Sequence, residues 1–257
     1  MEYFFINLKN NIDFFLRQHF EFSRKNFFVK NEPKEAIFTD SKLIEREKAL
    51  VKKYDLTALK SNSTVQNYCE NLYTIDILDR FFEIDFLDEM KALDIGCKNW
   101  FYAKGEYFFL KKYCKNLNLI GIELDANRLY SNLYTRKEVA KYHTKGLDEC
   151  EYIHADFLEH NEKYNYIIWI LPFVVDYPLL KWGLPEKYFQ PMNMLKHAYD
   201  SLEQDGKFFI INQGEQEHEA QKELCNSLKI NYQQLGKIKN NFLQYEIDRY
   251  AILITKD

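Results

Sequence analysis

Acids, amides and single glycines stand where apolar runs end in this chain, and such places can bind and orient a ligand. KALDI runs to Asp94-Ile95-Gly96, followed by Cys97, and NLIGIEL carries Glu123 with Asp125 just beyond. EYIHA leads into Asp156-Phe157. YNYIIWIL runs into Leu171-Pro172-Phe173, with Asp176 and Tyr177 shortly after, and GKFFII gives way to Asn212-Gln213-Gly214-Glu215. Gly96 tolerates positive φ and lets a ligand approach the backbone, although a tight turn needs the same residue. A carboxylate such as Glu123 can accept two hydrogen bonds from a vicinal diol. Asp125 directly precedes a segment that reads as a helix from Ala126, so it is expected to cap that helix. Asp156 suits a cap and a ligand contact equally.

Metal chemistry is not indicated. The six histidines (His19, His143, His154, His160, His197, His218) show no ligand spacing, and no two cysteines form a CxxC pair. His154 falls inside a strand and reads as a packed residue, and His160 as a solvated loop residue.

The elements that must hold these groups change character near residue 90. Before it the signals are helical. Phe4, Phe5, Phe14, Phe15 and Phe20 are expected to line a helix side that packs on the body of the protein. Asp40 and Ser41 can cap a helix through KLIEREKALVKKY, and Ser61 to Thr64 can cap VQNYCENLYTIDILDRFFEI. Beyond residue 90, strands alternate with helices: MKALDI, then helix EYFFLKKYCKNL; NLIGIEL, then helix ANRLYSNLYTRKEVAKYH; then EYIHA and YNYIIWIL. PFVVDYPLLKWGLPEKYF reads as a structured loop forming one wall of a pocket. A helical PEKYFQPMNMLKHAYDSL, strand GKFFIIN and helix EQEHEAQKELCNSL follow. The last two strand candidates, YQQLGKI and YEIDRYAILIT, are joined through KNNF without a helix and should pair antiparallel. Strand–helix alternation predicts a mostly parallel sheet covered on both faces, with ligands at the carboxyl ends of the strands.

The chain has 257 residues, 46% apolar and 29% charged, which suits one sizeable globular domain or a domain with an appendage. A net charge of −4 lacks the basic field of a nucleic-acid binder. No apolar run is long enough to span a membrane, and the first residues lack the pattern of a secretory signal. The five cysteines, odd in number, fit a reducing cytoplasm.

ALDIG, GIELD, IHADF, the buried strand before ILPF, and LEQDGKFFIIN resemble, in that order, the motifs of class I S-adenosylmethionine-dependent methyltransferases, over residues 88–257. The resemblance implies a Rossmann-like three-layer α/β sandwich. Its mostly parallel seven-stranded sheet would end in an antiparallel hairpin, with residues 1–87 as a helical extension or lid. It also implies S-adenosyl-L-methionine as cofactor. Asp94, Gly96 and Cys97 would lie by the methionine part, Glu123 would hold the ribose, Asp156 and Phe157 the adenine, and Leu171 and Pro172 would border the cofactor. Asp176, Tyr177 and Gln213 are then the candidates for work on the acceptor, with Tyr68 or Tyr73 facing the cofactor from the helical lid.

Two departures shape the expectation. Lys98 and Trp100 stand where the family pattern has glycines. A pyrophosphate presses on that backbone and a sulfonium cofactor does not, so the change disfavours a dinucleotide more than S-adenosylmethionine. ILPF lacks the polar acceptor of enzymes that methylate amide or base nitrogens, which leaves oxygen, carbon, sulfur or amine nucleophiles. The expected function is methylation of a small or medium-sized acceptor, mainly by positioning. A non-catalytic interaction protein of the same fold is the alternative, and a nucleotide-dependent oxidoreductase a further one.

Overall fold

The computed structural model describes residues 2–24 and 26–256. In chain order the elements are α1 (Glu2–His19), α2 (Ser41–Tyr54), α3 (Thr57–Ser61), α4 (Val65–Phe81), β1 (Leu87–Ile95), α5 (Ala103–Lys111), β2 (Cys114–Glu123), α6 (Arg136–Thr144), β3 (Cys150–His154), β4 (Tyr164–Ile170), α7 (Asp176–Lys181), α8 (Pro191–Asp200), β5 (Leu202–Gln213), α9 (Gly214–Ser227), β6 (Gln233–Lys237) and β7 (Arg249–Thr255). The seven strands form one sheet in the order β3-β2-β1-β4-β5-β7-β6. β1 to β5 pair in parallel, and β7 runs against both β5 and β6. The strand order reverses between β1 and β4, so the carboxyl ends of those strands open the crevice where ligands bind in such sheets.

Strand alternation divides the core. Met90 and Ala92 of β1 and Leu117 and Leu119 of β2 join the cluster under α2 to α6, whereas Leu93, Ile95, Ile120 and Ile122 join the one under α8 and α9. The first cluster includes Tyr68, Leu72 and Ile75 of α4, so α2 to α4 share one core with the sheet. Asp40 caps α2 by accepting from Leu43 N, and Thr64 caps α4 by accepting from Asn67 N, as the sequence suggested.

Several boundaries differ from expectation. The helix read from Ala126 does not form there: the chain turns, Leu129 and Thr135 bridge, and α6 begins at Arg136 with Thr135 as its cap. The helix EYFFLKKYCKNL stops at Lys111, because the residues from Cys114 onward pair with β1 as a strand. PFVVDYPLLKWGLPEKYF, read as a loop, contains α7, and β6 and β7 are joined by residues 238–248 rather than by KNNF alone. Of the five phenylalanines expected on the first helix only Phe14 packs inward; Phe4, Phe5 and Phe15 are exposed, as is Phe20 just past the end of α1. The face that docks is instead Ile6, Asn10, Phe14 and Arg17, a three- and four-residue step that meets α7.

Among the described residues no helix is long and apolar enough to cross a membrane, and no cluster of His, Cys, Asp and Glu suits a metal ion.

Candidate functional site

The turn after β1 is built on alternate left-handed residues: Gly96, Lys98 and Trp100 have φ of 67°, 58° and 42°. The backbone therefore takes a glycine-like path even where glycine is absent. A non-glycine residue there costs about 1–2 kcal/mol, so other contacts must hold it. Lys98 is held by its N–H, which donates to Glu123 Oε2 at 2.9 Å, and by its carbonyl, which accepts from the Tyr152 hydroxyl at 2.6 Å. Trp100 is held by its indole, which is completely buried and donates from Nε1 to Glu106 Oε2 at 2.7 Å. A Cβ on Gly121 of β2 would lie 2.8 Å from that ring and 2.9 Å from Cys97 Sγ. The glycine missing from the loop is thus matched by one in the neighbouring strand, which makes room for the indole. Neither Lys98 nor Trp100 covers Gly96: a Cβ built on Gly96 meets nothing within 4 Å.

Above Gly96 lies a cavity of about 760 Å³, a size ordinary for small-molecule and cofactor sites. Gly96, Glu123, Asp156, Phe157, Leu171 and Pro172 all border it. Two other expected cofactor contacts do not. Cys97 is buried with its sulfur against Gly121, and burial pushes its thiol well above the usual range. Asp94 is buried behind the loop. Neither carboxylate oxygen meets a donor of fixed hydrogen, and burial raises the group to about 8. Glu106 beside it is also raised, by burial and then by the Asp94 charge, so the two carboxyls hold at least one proton between them at neutral pH.

Glu123 differs from expectation in what it has left to give. Oε1 accepts from Arg136 Nη1 at 2.9 Å and Asp125 N at 2.8 Å, and Oε2 accepts from Lys98 N. Of about four acceptor positions on a carboxylate, three are used, which leaves one hydroxyl contact rather than the two expected of a diol clamp. Asp125 caps no helix. It is fully buried and paired with Arg17 of α1, Nε to Oδ1 at 2.8 Å, with Arg128 and Arg136 at 3.6 and 3.8 Å. Asp156 does serve as a cap, accepting from Leu158 N at 3.0 Å through Oδ1, and still borders the cavity. His154 is half-buried with Nε2 at 3.1 Å from Leu124 O, and His160 contacts the Tyr164 hydroxyl rather than standing free in a loop.

The cavity roof comes from two places. Tyr73 of α4 faces it, whereas Tyr68 is buried and donates to Glu47. Trp182, just after α7, carries three cations about its ring, with Lys98 Nζ at 4.8 Å, Arg136 at 5.4 Å and Arg128 at 5.9 Å from the centroid. α1 straps this segment down: Asn10 donates to the Leu180 and Leu184 carbonyls, and Arg17 to the Gly183 carbonyl.

Of the three acceptor-side candidates, only Gln213 borders the cavity. Tyr177 is exposed, and Asp176 accepts from the Tyr3 hydroxyl at 3.3 Å outside it. Four residues that sequence reasoning passed over also border the cavity: Glu70, Glu217, Tyr245 and Arg249. Their signal was faint. Polar Asn67, Asn71 and Thr74, which are buried on α4 at helical spacing, mark a helix face that is not purely core, and Glu70 lies beside it.

A parallel sheet ordered β3-β2-β1-β4-β5, extended by a reversed β7 between β5 and β6, decides the architecture. The chain folds as a Rossmann-like α/β sandwich with a mostly parallel seven-stranded sheet that ends in an antiparallel pair. No family model and no curated protein matches the sequence. Among solved structures, it is similar to a methyltransferase from Pyrococcus furiosus, with 16% identity over 72% of this chain and 82% of that one and a TM-score of 0.49. It is also similar to the precorrin-6y C5,15-methyltransferase of Geobacter metallireducens, with 10% identity over 73% and 87% and a TM-score of 0.48.

Proposed function

We propose that this chain is a cytoplasmic S-adenosylmethionine-dependent methyltransferase for a small or medium-sized acceptor, with residues 1–87 as helical extension and 88–257 as the cofactor-binding domain. The observation that carries the reading is Gly96, held left-handed under open space, with Glu123 and Asp156 bordering the same cavity. The residues present fit the cofactor. Gly96 leaves room for its close approach, Glu123 Oε2 keeps one acceptor position for a ribose hydroxyl, and Asp156 uses only Oδ1 on the described residues. Phe157, Leu171 and Pro172 supply apolar wall.

When bound, S-adenosylmethionine supplies a methyl group on a positively charged sulfur. The protein's part is positioning, since in-line displacement needs alignment more than covalent help. A cation beside a sulfonium would repel it. Lys98 Nζ is drawn to the Trp182 ring, and burial lowers its affinity for a proton. α7 and Trp182 wall the cavity, and α1 holds that wall in place through Asn10 and Arg17.

The engagement of Glu123 favours one second reading, a non-catalytic protein that keeps the fold as an interaction module. Calorimetry with S-adenosylmethionine and S-adenosylhomocysteine separates the two. Binding of both, or cofactor co-purifying with the protein, supports the enzyme, and binding of neither supports the module.

A further inference from the structure

One end of the cavity is built by residues outside the cofactor motifs. Glu70 of α4 and Tyr245 of the β6–β7 connection meet there, the tyrosine hydroxyl donating to Glu70 Oε2 at 3.0 Å. Arg249 lies 4.4 Å from the Tyr245 ring centroid and pairs with Gln213 across the β5–β7 ladder. Glu217, in the first turn of α9, accepts from Gln213 N at 3.1 Å. Tyr73 packs edge-on against Tyr245 at 5.2 Å. These six residues form one connected set, joined through the backbone at Gln213 and drawn from α4, α9, the end of β5, the start of β7 and the loop before it, and all six border the cavity that contains Gly96.

The chemistry of the set is that of a cation site. Two half-buried carboxylates face Arg249 and the more distant Lys98, and Arg249 spends a donor on its own loop, Nη1 to Ile247 O at 3.2 Å, while Lys98 Nζ sits over the Trp182 ring. Two tyrosine rings stand beside the acids and offer π-faces to an ammonium group. Arg249, and for Glu70 also Lys98, offset these acids only from a distance, so an ammonium group would give them a direct positive partner.

Building on the methyltransferase reading, we infer that this end is the acceptor subsite, that it takes a small primary or secondary amine, and that Glu70 receives the ammonium proton. The ammonium gives its proton to a Glu70 oxygen, and the freed nitrogen lone pair forms the N–CH₃ bond. The S–CH₃ bond breaks with its electron pair left on sulfur, and the products are an N-methylammonium ion and neutral S-adenosylhomocysteine. Glu70 then returns its proton to solvent. Burial raises the Glu70 carboxyl above its usual range against the opposing pull of Tyr245, Lys98 and Arg249, and raises Glu217 likewise, which makes both better proton acceptors.

The test titrates full-length protein saturated with S-adenosylhomocysteine with three isosteric probes: tyramine, tyrosol and para-hydroxyphenylacetate. Tyramine is expected to bind about tenfold or more tightly than tyrosol, as one charge-assisted hydrogen bond would give, and the acid more weakly still. Glu70→Gln and Glu217→Gln, which keep side-chain size, are each expected to remove most of the preference while leaving S-adenosylhomocysteine affinity unchanged. Arg249→Gln is expected to increase the preference. Equal or better binding of tyrosol or the acid, no binding of any probe, or a preference that survives both glutamine variants overturns the inference. If S-adenosylhomocysteine itself fails to bind, the methyltransferase reading falls and this falls with it. If it binds and the amine preference is missing, only this inference falls.

Discussion

Gly121→Ala tests whether Trp100 has replaced a loop glycine as the residue that fixes the cofactor turn. The added methyl would lie 2.8 Å from Trp100 Cε3 and Cζ3 and 2.9 Å from Cys97 Sγ, inside any ordinary contact distance. Nothing near it is a flexible side-chain end: the indole is completely buried and anchored on Glu106. Overpacking of this kind costs about 1–3 kcal/mol. For a chain of this size that lowers the melting temperature by about 2–12 °C. Trp100→Leu alone should cost about 3 kcal/mol or more, through lost burial and an unpartnered Glu106. The double variant should cost less than the sum by about 1 kcal/mol or more, because the smaller side chain makes room for the methyl. Urea unfolding of the four proteins measures this. Gly121→Ala within about 0.5 kcal/mol of the parent, or strictly additive variants, would refute the account of the turn.

Three further outcomes follow from the same geometry. Lys98→Gly should change stability by less than about 1 kcal/mol, relief of left-handed strain being offset by a freer unfolded chain, whereas Lys98→Val should cost about 2 kcal/mol in the same urea assay. Asp94 is raised in the folded state to about 8, so the stability it lends is full below about pH 4, its unfolded value, and is lost as pH rises through 8. The melting temperature should therefore fall between pH 5 and pH 9 by scanning fluorimetry, and Asp94→Asn should flatten that slope. Arg17→Met leaves the buried Asp125 with only the more distant Arg128 and Arg136. It should cost about 2 kcal/mol and speed amide exchange in α1.

What was legible in the sequence was what local pattern controls. Leu93, Asp94 and Ile95 announced β1, and Thr64 announced the start of α4, because strand alternation and capping act over a few residues. Non-local partners were not legible. Asp125 looked like a cap because Ala126 onward resembles a helix, but its partner Arg17 lies 108 residues earlier, and that pair holds the segment as a turn. The helix faces of α1 were misassigned for the same reason. Its apolar residues point in two directions, and only the position of α7, itself unforeseen, decides which side docks. Glu123 was legible as an acid at a strand end. That Arg136, Asp125 and Lys98 would occupy most of its acceptor positions depends on the path of two loops. The acceptor side was hidden most completely, since Glu70 and Tyr245 are 175 residues apart and belong to no common motif.

The central claim is that the open space above Gly96 holds the cofactor. Calorimetry of the parent and Gly96→Ala with S-adenosylhomocysteine tests it most directly, because the alanine methyl meets no protein atom within 4 Å and projects into the space the cofactor would use. The parent is expected to bind. The variant is expected to stay folded at a cost of about 1–2 kcal/mol for its left-handed backbone, and to bind about tenfold or more weakly, a loss of about 1.4 kcal/mol. No binding by the parent, or equal binding by both proteins, would contradict the account.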